Sequence, residues 1–213
     1  MKTLLILGAT GLVGQQLLEQ ALATPNVAQV IAPTRRALPP HAKLLNPLVR
    51  FDALPTDAPW WRADAAICTL GTTMRQAGSP DAFRQVDHDY VLETARLARH
   101  AGTPTFVLNS SVGASASSNS FYLRVKGETE HTLAQLGFDS FTTVRPSILD
   151  GGKRLESRPG ETIMLWLTRL FAFIIPPRYR AVKTAKLATC LLAAALAAQA
   201  GTHIVESEAI GRT

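Results

Sequence analysis

Cysteine is scarce in this chain. Two cysteines, Cys68 and Cys190, occur in 213 residues, and both sit inside apolar runs. That pattern excludes a disulfide framework and favours buried, reduced thiols. No Cys/His cluster has metal-ligand spacing, so a metal centre has no donor set to build on. A membrane-length apolar run is missing too: residues 187 to 200 are apolar but shorter than a span requires, and read as a buried helix. Charged residues make up 18% against 46% hydrophobic, which excludes a disordered chain. The formal charge is +6, yet aromatics reach only 7% and no aromatic-studded basic stripe occurs, so no nucleic-acid partner is expected. Internal repeats and low-complexity stretches are absent. Lys2, the following apolar run and Ala21-Leu22-Ala23 imitate a signal peptide. Glycines break that apolar core, however, and Gln15, Gln16, Glu19 and Gln20 precede the supposed cleavage site. The expectation is a cytoplasmic protein with no membrane partner.

What the chain does have begins at its third residue. Thr3 to Leu7 is unbroken apolar sequence, suited to a strand buried on both faces of a parallel sheet. Gly8, Gly11 and Gly14 follow at steps of three, and then a helical pattern with Leu12, Val13, Leu17, Leu18, Ala21 and Leu22 on one face. Strand, glycine turn and helix are the context of a dinucleotide fingerprint. Gly8 serves the sharp reversal, Gly11 the close approach of backbone to a pyrophosphate, and Gly14 the tight seat of helix on strand. Peptide N–H groups at the helix start then face the phosphates, so Gly8, Ala9, Thr10, Gly11, Leu12, Val13 and Gly14 are the candidate phosphate cradle.

Further strands are expected at residues 27–32, 48–51, 65–70, 105–108 and 140–144, alternating with helices at 79–100 and 121–136. Such alternation predicts a doubly wound parallel sheet. Near the end of the second strand an NAD site would offer a carboxylate for the ribose 2′-hydroxyl. This chain offers Thr34-Arg35-Arg36 instead. A guanidinium there can pair with a 2′-phosphate through parallel hydrogen bonds, which favours NADP over NAD. Asp52 closes the expected third strand, where the adenine would lie. Trp60 and Trp61 read as packing residues. Helix 79–100 carries Asp87-His88-Asp89, of which Asp87 is the candidate relay or supporting residue.

After residue 150 the pattern changes. Residues 151–161 read as a polar loop, 161–175 as an apolar helix, 184–200 as another helix and 202–206 as a last strand. A single domain over 1–213 is expected, with 151–213 forming a small cap over the site. Arg154, Arg158, Arg178 and Arg180 either meet an acidic substrate or face water.

Tyr122 and Lys126 stand four apart on a predicted helix and share a face. A nearby ammonium favours the phenolate, and a phenol so placed exchanges a proton with a carbonyl oxygen as hydride moves. Ser111, at the tip of the fifth strand, can donate to the same oxygen. Tyr179 and Lys183 repeat the spacing, but follow Pro176-Pro177 and no serine-bearing strand, and read as a decoy.

Taken together these stretches resemble the atypical short-chain dehydrogenase/reductases, and within them the Tat-interacting-protein-like oxidoreductases. The resemblance rests on Gly8-Ala9-Thr10-Gly11-Leu12-Val13-Gly14, Arg35-Arg36, Leu70-Gly71-Thr72-Thr73, Val86-Asp87 with Asp89-Tyr90-Val91-Leu92, Ser110-Ser111, Tyr122-Leu123 with Val125-Lys126-Gly127-Glu128, Arg145-Pro146, and Glu156-Ser157-Arg158-Pro159-Gly160-Glu161. It covers residues 1 to about 161. It implies a Rossmann fold, NADPH held at Gly8 to Gly14 and Arg35, and a catalytic triad of Ser111, Tyr122 and Lys126. Lys126 would also hold the nicotinamide ribose, with Leu70, Gly71 and Thr72 and the stretch from Pro146 to Ile148 flanking the nicotinamide. Asp87 stands where related enzymes often add an Asn. The expected activity is hydride transfer to or from a small carbonyl or alcohol. A dinucleotide-loaded regulator or redox sensor without turnover is the alternative, since the family includes members regarded as regulators. A small-molecule substrate and a homo-oligomer complete the expectations.

Overall fold

The computed structural model describes residues 1–150 and 176–211. The first strand, β1 (Lys2–Leu7), is the sheet's centre, and Leu4 to Leu7 are wholly buried. Around it lie α1 (Leu12–Ala23), β2 (Val27–Ile31), β3 (Leu44–Leu45), β4 (Ala65–Cys68), α2 (Met74–Ala77) and α3 (Pro80–Arg84). The chain continues through α4 (Tyr90–His100), β5 (Thr105–Asn109), α5 (Phe121–Ala134), β6 (Ser140–Arg145) and β7 (Leu149–Asp150). After the undescribed stretch come β8 (Val182–Lys183), α6 (Thr184–Ala197), β9 (Gly201–Glu206) and α7 (Ser207–Ile210). Seven strands form one sheet in the order β3-β2-β1-β4-β5-β6-β9, all parallel. β7 and β8 pair separately.

Strand side chains alternate between two cores. Leu4, Ile6, Val30, Ile67 and Val107 face α1 and α6, whose Val13, Leu17, Leu187 and Leu191 close that side. Leu5, Leu7, Ile31, Cys68, Phe106 and Phe141 face the other layer, with Val91, Leu92 and Ala95 of α4 and Leu133 of α5. Both cysteines are buried and free, and Trp61 is wholly buried with its indole N–H donated to the Pro55 carbonyl at 2.7 Å. The doubly wound sheet inferred from the sequence is thus the observed architecture.

Two expectations need correction. The third strand is Leu44–Leu45, not residues 48–51. The amides of Val30 and Ala32 donate to the carbonyls of Lys43 and Leu45. The next ladder N–H would come from residue 47, which is proline and has none. The Asn46 side chain supplies it instead, donating to the Ala32 carbonyl at 2.6 Å, and pairing resumes only as a bridge between Thr34 and Leu48. The second correction concerns the cap. Residues 184–206 are built into the fold: α6 packs against α1, and β9 lies beside β6 from Gly201 to Glu206. The expected loop at 151–161, including Arg154 and Arg158, and the helix at 161–175 lie outside the described residues.

Candidate active site

The chain runs outward from β1 to β3 and returns to β4 beside β1, so a crevice opens at the carboxyl ends of those two strands. Gly8 lies at its floor with φ +86°, and a Cβ there would sit 2.7 Å from the Thr69 carbonyl carbon and 2.8 Å from the Leu70 nitrogen. Gly14 presses on the same turn: its Cβ would come within 2.1 Å of the Gly8 carbonyl oxygen. Both positions therefore require glycine, one for backbone conformation and close approach, the other for space alone. Gly11 precedes α1 with extended backbone, and no side chain caps the helix. Ala9, Val13 and Gly14 are buried, whereas Thr10, Gly11 and Leu12 are exposed along the open side. This is a bare backbone cradle of the kind that accepts a dinucleotide pyrophosphate, and the residues present fit that group.

At the tip of β2, Thr34 is buried, and its hydroxyl donates to the Arg36 carbonyl at 2.6 Å. Asn46 braces the bend by donating to the Thr34 hydroxyl at 2.8 Å. Arg35 and Arg36 project from it, both exposed. Asp52 is exposed and occupied by Arg50 in a two-point ion pair, at 2.7 and 3.1 Å.

Two of the three catalytic candidates, Tyr122 and Lys126, lie one turn apart on α5. Tyr122 is half-buried on α5, its ring 5.5 Å from that of Phe83. Lys126, one turn on, is buried, and its ammonium lies 2.8 Å from Asp87 Oδ1. Asp87 reaches this position from a single wide π-helical turn, Gln85–Asp89, inserted between α3 and α4. The sequence reads that stretch as uninterrupted helix, because nothing in residue type marks the extra residue. The other Asp87 oxygen accepts the Thr72 N–H at 2.7 Å, and its backbone carbonyl accepts the Thr129 hydroxyl at 3.1 Å. Gly71 makes room: a Cβ on it would lie 3.2 Å from Asp87 Oδ1 and 3.6 Å from Lys126 Nζ. Burial alone would lower the Lys126 pKa, but the Asp87 carboxylate, with Tyr122 and Cys68, outweighs it and leaves the amine above its usual 10.5. Burial pushes the nearby Cys68 thiol up to about 12.

Ser111 is half-buried, with its hydroxyl only 3.4 Å from the Val112 carbonyl. The loop carrying it is fixed by main chain: Ser110 N–H donates to the Val144 carbonyl and Val112 N–H to the Pro146 carbonyl, at 2.8 and 2.9 Å. Pro146 is thereby buried beside the Ser111 loop, while Ile148 is 61% exposed. Leu70 and Thr72 are half-buried and Gly71 is exposed along the crevice. Sequence reasoning missed Glu130. It accepts the Ser110 hydroxyl and pairs with Arg145 at 2.5 Å, and Arg145 reaches Glu206 of β9 at 3.1 Å. The signal was available: Tyr122, Lys126 and Glu130 recur every four residues on one helix face. Tyr179 lies in a short 3₁₀ turn and Lys183 in β8, so the second Tyr/Lys pair shares no helix. Arg178 lies 3.8 Å from Glu206. Among the described residues, no group of three His, Cys, Asp or Glu could hold a metal, and no helix is long and apolar enough to cross a membrane.

No family model matches the chain. Its sequence is 41% identical over 180 residues to protein HTATIP2 of Rattus norvegicus, covering 82% of this chain and 72% of that protein. It belongs to the HTATIP2 family. A second relative is the mitochondrial protein fmp52 of Emericella nidulans, 36% identical over 173 residues, with 76% of this chain and 73% of that protein covered. The fold is shared with the Bordetella bronchiseptica enzyme WbmH, solved with NAD+, at TM-score 0.70 and 16% identity over 97% of this chain and 76% of that one. The family assignment agrees with the resemblance read from the motifs. The expected cytoplasmic location does not survive it, because the fungal FMP52 relatives are named mitochondrial. Composition misled there: a globular core has the same make-up in either compartment.

Proposed function

We propose that this HTATIP2-family protein is an NADP-dependent oxidoreductase that interconverts a small carbonyl compound and its alcohol. The observation that carries the reading is Lys126 on the face of α5 that also bears Tyr122, with its amine buried at the crevice beside Gly71. Gly8 to Gly14 would hold the pyrophosphate. Arg35 and Arg36 would pair with a 2′-phosphate, since no carboxylate occupies the bend from Ala32 to Arg36. Leu70, Gly71, Thr72, Pro146 and Ile148 would border the nicotinamide, and Lys126 would hold its ribose. The bound dinucleotide supplies or accepts a hydride at the carbonyl carbon. Tyr122 gives its phenolic proton to the carbonyl oxygen during reduction and recovers one in the reverse direction. Ser111 donates a hydrogen bond to that oxygen as charge develops on it, which stabilises the transition state more than the substrate.

The test is a panel of small aldehydes and ketones with NADPH, run on the parent and on Tyr122→Phe. Turnover should fall by about 10²-fold or more in the variant, the range for losing a positioned general acid. Calorimetric NADPH binding should be unchanged. Binding without turnover of any carbonyl in the parent would assign the protein to dinucleotide sensing instead.

A further inference from the structure

We propose, on the dinucleotide reading given above, that the side-chain amide of Asn109 is a cofactor contact that pairs with the carboxamide of the nicotinamide. Asn109 closes β5, two residues before Ser111, and follows the apolar run Phe106-Val107-Leu108. Its Oδ1 is buried and has no hydrogen-bond partner among the described residues. Buried polar atoms are almost always paired, so this orphan calls for a partner that the chain itself does not supply.

The strand decides which way the side chain faces. Phe106 and Leu108 enter the core under α4 and α5, and Val107 the core under α1 and α6. Asn109 therefore shares the Val107 face, the layer of α1. Ser110, the next residue, turns the other way and gives its hydroxyl to Glu130 of α5. The neighbours of Asn109 on its own face have no donor to spare. Val144, opposite it on β6, is apolar and wholly buried. On the other side Thr69 follows Cys68, which is in register with Leu108. The Thr69 hydroxyl is already given to the Leu7 and Gly8 carbonyls, at 2.9 and 3.2 Å.

Topology identifies the end of the dinucleotide that can reach this point. Gly8, Thr69 and Asn109 stand at the carboxyl ends of β1, β4 and β5, which are adjacent strands. Asn109 is thus two strand spacings, about 10 Å, from the turn that would cradle the pyrophosphate. One ribose separates that pyrophosphate from the nicotinamide. The adenosine half runs the opposite way, over β2 and its Arg35-Arg36 bend. The reacting carbonyl is met from α5, on the opposite layer. Asn109 is half-buried, and no bond fixes its amide, so the amide can turn about its last torsion and present oxygen or nitrogen to the crevice. A carboxamide both donates and accepts, and satisfies it in either orientation.

The experiment is calorimetry on the parent and N109L, with NADPH and with 2′-phospho-ADP-ribose, which lacks only the nicotinamide. N109L should bind NADPH about 5- to 100-fold more weakly, the effect of leaving the ligand's amide buried and unpaired. Its affinity for 2′-phospho-ADP-ribose should equal the parent's. Without nucleotide N109L should melt no lower than the parent, because the change removes an unpaired polar atom and keeps the volume. Unchanged NADPH affinity overturns the proposal and leaves water as the partner of Asn109. Equal weakening of both nucleotides overturns it too, as does a lower melting temperature with no selective loss of NADPH, since either marks a structural role. Should leucine prevent folding, N109A carries the same pair of titrations. A parent that binds neither nucleotide overturns the dinucleotide reading and this contact together, an outcome distinct from the others.

Discussion

At the scale of single residues, the site is a set of charges whose partners decide what they do. Lys126 was legible as a candidate from its spacing to Tyr122, and Asp87 as a relay or supporting residue; their pairing was not, because sequence distance hides a contact across 39 residues. Arg35 and Arg36 are exposed at the tip of β2, with no such buried partner among the described residues. Replacing both with serine should weaken NADPH binding about 10- to 100-fold, the worth of one or two charge-assisted hydrogen bonds, and leave NADH binding unaltered. Isothermal calorimetry with both nucleotides checks this. Cys68 makes a pH prediction. Its thiol is held up to about 12 in the fold and ionises near 9.0 once unfolded. Between these values the unfolded chain has lost a proton the native state keeps, so stability is full below pH 9 and falls as pH rises toward 12. The slope from this group should approach about 1.4 kcal/mol per pH unit. Urea unfolding from pH 8 to 11 should show it in the parent, and Cys68→Ala should have a shallower slope whatever its baseline.

At the scale of elements, α5 is the part that must be seated accurately, because it carries Tyr122 and Lys126 together. Contacts along its length seat it. Lys126 meets Asp87, Glu130 meets Ser110 and Arg145, and Gly127 lies directly on the backbone of the loop that joins Ser111 to Tyr122. A Cβ on Gly127 would fall 2.2 Å from the Ser115 carbonyl carbon and 2.3 Å from the Ala116 nitrogen. Neither atom can rotate away. Gly127→Ala should therefore lower unfolding stability by about 1–3 kcal/mol, the usual cost of overpacking, with a matching fall in the melting temperature. Breaking the Glu130 pair is a second test. Arg145→Met strands a buried carboxylate and should cost about 3 kcal/mol in denaturant unfolding. Arg145→Met with Glu130→Gln should recover much of that loss, since no buried charge is then left alone. Glycine, tyrosine and lysine on one helix can be read from the chain. That glycine faces backbone and glutamate faces a strand tip needs the packed arrangement.

For the molecule as a whole, the decisive fact is where residues 184–211 go. Read as a cap, they would be removable. In the fold, α6 closes one core and β9 completes the sheet beside β6, with Glu206 joined to Arg145. Ending the chain at residue 198 should strip β6 of its neighbour and leave Arg145 with one partner fewer. Far-ultraviolet circular dichroism and a thermal scan of the truncated protein should show no cooperative unfolding; a truncated protein that melts like the parent would restore the cap reading.

The sequence by itself determined the parallel sheet, the first crossover and the helix that bears Tyr122 and Lys126. Those features depend on local chemistry: apolar runs, glycine at a sharp bend, and four-residue spacing. Only the tertiary structure decided the path of the third strand, the place of β9, and the pairing of Lys126 with Asp87. Each of these is a contact between segments far apart in the chain. An N–H that Pro47 lacks, an open sheet edge and a wide helical turn leave no periodic trace, and become visible only when the partner segment lies against them.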